Sequence, residues 1–222
     1  VTAFTINGAE LVADLSGAVV WPAQSCLIVA DLHLEKASGF ARRGTLLPPY
    51  DSAATLRRLA AAIDAYRPRR VLCLGDSFHD SQAPARLEAA ETAMLAALTA
   101  RTEWIWIAGN HDPDPPRMLG GRVEREATIG PLVFRHEARR GPAAGEVSGH
   151  FHPKASVATR GRRVSARCFV EDGNRLILPA FGAFAGGLDV FDPAIRGLMA
   201  RDFAVHLIGR DRVHRFASRQ LG

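Results

Sequence analysis

CLIVADLH, residues 26–33, is a strand-length apolar run that breaks off at Asp31 and His33. Four later runs end alike: RVLCLGDSFHD (70–80) on Asp76, His79 and Asp80, WIWIAGNHD (104–112) on Asn110, His111 and Asp112, LVFRH (132–136) on His136, and EVSGHFH (146–152) on His150 and His152. A polar residue directly after a strand stands at the rim of its sheet, and the carboxyl-end rim of an α/β sheet is where ligands bind. Together the endings offer carboxylates, an amide oxygen and imidazoles. Such donors suit a pair of divalent cations, and sites of that kind usually do phosphoester chemistry.

The elements around these runs predict an α/β fold. FTI and ELVADL form a hairpin about Asn7-Gly8, and a further strand ends near Trp21. Residues 35–43 read as a helix stopped by Gly44. A second helix, capped by Asp51 or Ser52, carries the stripe Leu56, Leu59, Ala60 and Ile63. Residues 84–100 read as a third helix, with Leu87, Ala90, Met94, Leu95 and Leu98 on one face. This β-α-β-α-β half favours parallel pairing. From residue 122 short alternating segments separated by Gly and Pro predict mainly antiparallel strands, hence a second sheet packed on the first with helices outside.

A chain of 222 residues with 47% hydrophobic content fits a single domain, 1–222, with a continuous core. No apolar stretch is long enough to span a bilayer, so no membrane association is expected. The segment VTAFTINGAELVADL lacks the basic start and apolar run of a signal peptide. Cys26, Cys73 and Cys168 form no Cys-x-x-Cys pair, which leaves any metal site to histidine and carboxylate. A reducing, cytoplasmic setting follows. The net charge is +5, and Lys36 and Lys154 are the only lysines. The arginine groups Arg42-Arg43, Arg67-Arg69-Arg70, Arg139-Arg140 and Arg160-Arg162-Arg163 fit either an arginine-rich composition or a polyanion-binding surface. Aromatic content of 7% argues against an extended base-stacking platform.

Asp31 and His33 flank Leu32, so an extended backbone would point both to one side, and the same holds for His150 and His152. Gly75 allows close backbone approach beside Asp76, whose carboxylate can bridge two cations. Asn110 offers a neutral hard oxygen, and His111, pointing elsewhere, is left for acid–base work, oriented by Asp80 or Asp112. His136 is either an edge-strand surface histidine or a further nitrogen ligand. Arg43 is either a solvated helix end or a phosphate contact. His79 either lines the pocket as a phosphate donor or caps the next segment through Asp80. His206 and His214 have no companion ligands and read as structural or surface residues.

The series Asp-x-His, Gly-Asp, Gly-Asn-His-Asp, His, Gly-His-x-His over residues 31–152 resembles the calcineurin-like metallophosphoesterase superfamily. ADLHLEKASGFARRGTLLPPYDSAATLRRL (30–59) and LILPAFGAFAGGLDV (176–190) resemble the bacterial DNA ligase-associated metallophosphoesterases (the PdeM type). The resemblance implies a four-layer α/β/β/α sandwich of two mixed sheets flanked by helices. It implies one ion held by Asp31, His33, Asp76 and His152, and a second by Asp76, Asn110, His136 and His150, with Asp76 and a water or hydroxide bridging. Oxygen and imidazole ligands suit Mn²⁺, and Fe, Zn or Co also fit. The implied activity is a manganese-dependent single-stranded DNA endonuclease of DNA repair, with the bridging hydroxide as nucleophile, His111 as general acid, and Arg43 and His79 as candidate substrate contacts. Association with a DNA ligase and helicase, and a homodimer, are implied too. The ligand set serves equally for a phosphomonoesterase or small-nucleotide phosphodiesterase. A non-catalytic interaction scaffold would be expected to have lost ligands, and every expected type is present.

Overall fold

The computed structural model describes residues 1–115, 119–159 and 161–221; Arg160 of the last arginine group lies outside them. Strands β1 (Thr2–Ile6), β2 (Ala9–Ala13), β3 (Val19–Trp21), β4 (Cys26–Val29), β5 (Arg70–Leu74), β6 (Glu103–Ile107) and β7 (Arg122–Glu124) form one sheet in sequence order. Pairing is antiparallel from β1 to β4 and parallel from β4 to β7. β4, β5 and β6 read as unbroken apolar runs because both their faces are covered. On one side lie α2 (Asp51–Tyr66) and α3 (Ala89–Arg101), packed through Leu56, Leu59, Ile63, Leu95 and Leu98.

The other face meets the second sheet. Phe4, Ile28, Leu72, Ile105, Phe134, Val147 and Phe169 belong to one buried cluster between the two. That sheet comprises β8 (Glu126–Ile129), β9 (Leu132–Arg135), β10 (Glu146–Ser148), β12 (Arg162–Glu171), β13 (Arg175–Ile177), β14 (Ala204–Ile208) and β15 (Val213–Ala217), with β11 (Lys154–Thr159) paired to β12. Its outermost layer is thin. The short helix α4 (Pro193–Arg196) and the segments around it cover the sheet through Val190, Ile195, Leu198 and Phe203. The architecture is thus two mixed sheets with flanking helices.

Local details depart from the sequence reading. The centre of the second sheet is parallel, β9 to β10 and β10 to β13, within otherwise antiparallel pairing. Tyr50, not Asp51 or Ser52, is the N-cap of α2. Asp51 instead accepts from the Ala37 N–H at 3.0 Å, and Ser52 Oγ accepts from the Glu35 N–H at 2.8 Å. Both side chains are used to pin the start of α1 (Lys36–Ala41). Helix α3 starts at Ala89, because residues 83–86 form a 3-10 turn and Glu88 and Glu91 make a reciprocal cap. The delayed start leaves Ala90 and Met94 exposed and buries Leu95, Leu98 and Thr99. His206 is fully buried, 3.3 Å from Glu171. All three cysteines are buried and free. Among the described residues no helix is long and apolar enough to cross a membrane.

Phe134 has no exposed surface and its ring lies 6.2 Å from that of Trp21, so it joins the two sheets just before His136. Phe134→Ala is expected to lower the unfolding free energy by about 3–5 kcal/mol. Urea titration followed by tryptophan fluorescence measures this, and a loss below about 1 kcal/mol would contradict the packing described.

Candidate metal centre

β4, β5 and β6 run parallel, as do β9 and β10, so each trio or pair delivers its carboxyl ends to one rim. The rim backbone is not extended. Asp31, His33, Asp76, His150 and His152 all have positive φ, from 44° to 72°. The strict side-to-side alternation expected from sequence is therefore absent, and left-handed turns bring each pair of side chains together instead. Such residues cost on the order of 1–3 kcal/mol each and persist only where the surroundings impose them. Here the loops are laced to one another. Asp31 N–H donates to Gly75 O, His33 N–H to Asp76 O and Leu34 N–H to Ser77 O. Gly149 N–H donates to His136 O, and Gly182 N–H to Asp31 O.

Two groups of ligand atoms result: Asp31, His33 and His152, and Asp76, His136 and His150. In the first, the Nε2 atoms of His33 and His152 are 3.2 Å apart, and His152 Nε2 is 3.3 Å from Asp31 Oδ1. In the second, Asn110 Oδ1 lies 2.8 Å from His136 Nε2 and 3.0 Å from His150 Nδ1. Those two nitrogens are 3.1 Å apart, and His136 Nε2 is 3.4 Å from Asp76 Oδ2. Donors about 2.1 Å from an ion in octahedral array stand about 3.0 Å from one another. The observed spacings, and a donor set of oxygen and imidazole nitrogen alone, fit divalent cations in both groups. His136 is a member of the second group and not an edge-strand surface residue: it is 7% exposed, with Nδ1 donating to Leu74 O at 2.9 Å. That bond leaves Nε2 free to ligate.

Charge is finely divided over this cluster. Burial opposes ionisation of both Asp76 and His136, but their contact prevails, holding Asp76 down at about 2 and lifting His136 to about 9. Burial drives His33 down to about 3 and also lowers His150. Burial pushes the Asp112 carboxyl up to about 7, against the Phe78 and Ser77 N–H groups that donate to it at 3.1 and 2.8 Å.

His111 is exposed at the rim, with Nε2 4.0 Å from Asp76 Oδ2. Its Nδ1 donates to the His79 carbonyl at 2.7 Å, and its ring stacks on that of His79. Neither carboxylate expected to orient it does so. Asp80 is bound to Arg86 at 2.8 Å, and Asp112 is engaged with the backbone after Asp76. His79 itself is buried, its N–H donating to Leu34 O, and Arg43 is exposed at the turn after α1. The motifs gave no role to Lys36, whose charge is felt at both His33 and His79. Its signal in the sequence was the scarcity of lysine.

The profile of the calcineurin-like phosphoesterase family matches residues 25–174. The chain belongs to the calcineurin-like phosphoesterases. Among solved structures, this calcineurin-like phosphoesterase is similar to the nuclease MPE of Pseudomonas putida, at 30% identity over 97% of this chain and 99% of that one, with a TM-score of 0.75. The E. coli phosphoesterase Yfce is 13% identical over 86% of this chain and 97% of its own, with a TM-score of 0.44. No curated protein sequence matches.

Two outcomes test the centre. A Cβ at Gly109 would lie 2.2 Å from both the N and Oδ1 of Asp76. Gly109→Ala is therefore expected to lose at least half of the bound divalent metal by elemental analysis, and full retention would contradict the geometry. Second, His136 lifted to about 9 from 6.5 adds stability to the metal-free fold that is present below 6.5 and lost as pH rises through about 9. A ligating imidazole must be neutral, so metal uptake near neutral pH is expected to release about one proton per chain. Calorimetry in buffers of different ionisation enthalpy reads that number, and zero release would contradict the assignment of His136.

Proposed function

We propose that this phosphoesterase is a two-metal endonuclease of single-stranded DNA, of the DNA ligase-associated type, working with manganese in DNA repair. The observation that carries the reading is the pair of abutting ligand groups on a rim shared by two sheets. The nuclease choice is supported by full-length similarity to a protein described as a nuclease and by the resemblance of residues 30–59 and 176–190. That resemblance also carries a homodimer and association with a DNA ligase and helicase, while the cytoplasmic setting rests on the three unpaired cysteines.

Asp31, His33 and His152 would hold one ion and Asn110, His136 and His150 the other, with Asp76 shared. When bound, two divalent ions supply Lewis-acid activation of water and clamp the phosphate oxygens. The chain's own residues supply the rest. His111 Nδ1 carries a proton, since it donates to the His79 carbonyl. To act as general acid its Nε2 must carry a second proton; that nitrogen stands 4.0 Å from the Asp76 carboxylate. As the phosphorus–oxygen bond breaks, the Nε2 proton passes to the leaving oxygen and His111 returns to its neutral form. The stacked His79 ring and its carbonyl fix the direction of Nε2 throughout.

Manganese-loaded protein offered circular single-stranded DNA, a small diester and a phosphomonoester, with Asn110→Ala as control, tests the class. Linearisation of the circle is expected; cleavage of the monoester alone would overturn the proposal. His111→Ala is expected to lower kcat by about 10²–10⁴-fold on substrates with poor leaving groups while keeping its metal. Loss of metal in step with activity would sink the acid role.

A further inference from the structure

Around His79, which stacks on His111, the rim carries positive charge that no side chain among the described residues neutralises by contact. Lys36 opens α1, is half-buried, and lies 5.9 Å from the Phe40 ring centroid. Among the described residues its ammonium makes no hydrogen bond or ion pair. Phe40 stands 5.5 Å from His79, which is stacked at 5.4 Å on His111, so Lys36 belongs to the same wall as the proposed acid. The guanidinium of Arg43, exposed just after α1, also lacks a hydrogen-bonded or ion-pair partner among the described residues, and its charge too reaches His79.

The carboxylates within reach are committed elsewhere. Asp80 holds Arg86. Asp51 accepts from the Ala37 N–H. Glu35 accepts from Ser38 Oγ at 2.6 Å and Ser52 Oγ at 2.8 Å. Asp31 accepts from the His150 N–H and belongs to the first ligand group. Asp31 and Asp51 are felt electrostatically at Lys36 without touching it. Glu35, at φ 65° and 8% exposed, with the buried Ser52 and Asp51 and the half-buried Ser38, makes a hydrogen-bonded frame that sets where Lys36 emerges. An ammonium held half out of water costs free energy unless an anion meets it. A frame that holds one there beside the acid presents it to a ligand.

The scissile phosphate is the business of the two ligand groups. Lys36 and Arg43 are felt at His79, whose ring stacks on that of His111, the proposed donor of a proton to the leaving oxygen. We infer that Lys36, with Arg43, binds the neighbouring phosphodiester on the leaving-group side of the strand, and so selects polynucleotides over esters that carry a single phosphate. This rests on the nuclease reading above. An ammonium suits the task as a compact point charge with three rotatable donors, which follows a flexible backbone without demanding bidentate geometry.

The experiment compares wild type, Lys36→Met, Lys36→Arg and Arg43→Ala. Each is measured for kcat and KM on a single-stranded oligonucleotide and on bis(p-nitrophenyl) phosphate, for bound metal, and for oligonucleotide affinity by fluorescence anisotropy across salt. Lys36→Met is expected to lower the ratio of kcat/KM, oligonucleotide over small diester, by about tenfold through KM, the worth of one charge-assisted contact. The slope of log affinity against log salt should become shallower by about 0.7. Lys36→Arg should recover most of the ratio, and Arg43→Ala should shift the ratio and slope in the same direction. Equal loss on both substrates, an unchanged slope, or metal lost from Lys36→Met would overturn the inference alone. A wild type that hydrolyses the small diester and cuts no single strand would overturn the nuclease reading, and this inference with it.

Discussion

Each ligand group draws on both sheets, so the face-to-face packing of the sheets sets every distance in the site. Asp31 and His33 come from the first sheet and His152 from the second; Asp76 and Asn110 come from the first, His136 and His150 from the second. The tie at the rim is the His150 N–H, which donates to the Asp31 carboxylate at 3.0 and 3.2 Å. Below it the interior cluster running from Ile28 and Leu72 to Phe134 and Val147 fixes the separation. A shift of one sheet by a single residue would part both groups at once, since the donors stand only about one coordination edge apart.

Much of this could be read in the chain before any coordinates. CLIV, VLCL and WIWI are apolar at every position because β4, β5 and β6 are covered on both faces, and that continuity makes their polar endings conspicuous. The backbone at those endings was not legible. Asp31 and His33 give no sign that they adopt left-handed conformations, since their turns are tied to Gly75, Asp76 and Gly182 from other segments. The same holds for Asp51 and Ser52, good helix caps by type, which tertiary partners in α1 claim instead. The parallel pairing of β9 with β10 is a long-range choice that short alternating segments cannot declare. It is also what sends His136 and His150 to one rim. The orientation of His111 by a carbonyl escaped a reading based on side-chain types, because any residue at position 79 supplies that oxygen.

The charges in the site fit the proposed pair of cations and a polyanionic substrate beside them. Without metal, Asp76 and His136 neutralise each other, and burial keeps His33 and His79 neutral over most of the accessible pH range. Metal would displace the His136 proton and leave neutral imidazoles and carboxylates around it. Lys36 and Arg43 add positive charge felt at His79, where the proposed polyanion would run. The fold thereby gathers the two candidate ligand groups and His111 on one rim, from elements far apart in the chain.

In the proposed centre two ions would lie side by side with Asp76 between them. Crystals of the manganese-loaded protein, measured at the manganese absorption edge, test it most directly. Two anomalous peaks per chain, about 3.5–4 Å apart, are expected. One should contact His33 and His152, the other Asn110, His136 and His150, and both a carboxylate oxygen of Asp76. A single peak, or two peaks of which only one touches Asp76, would contradict it.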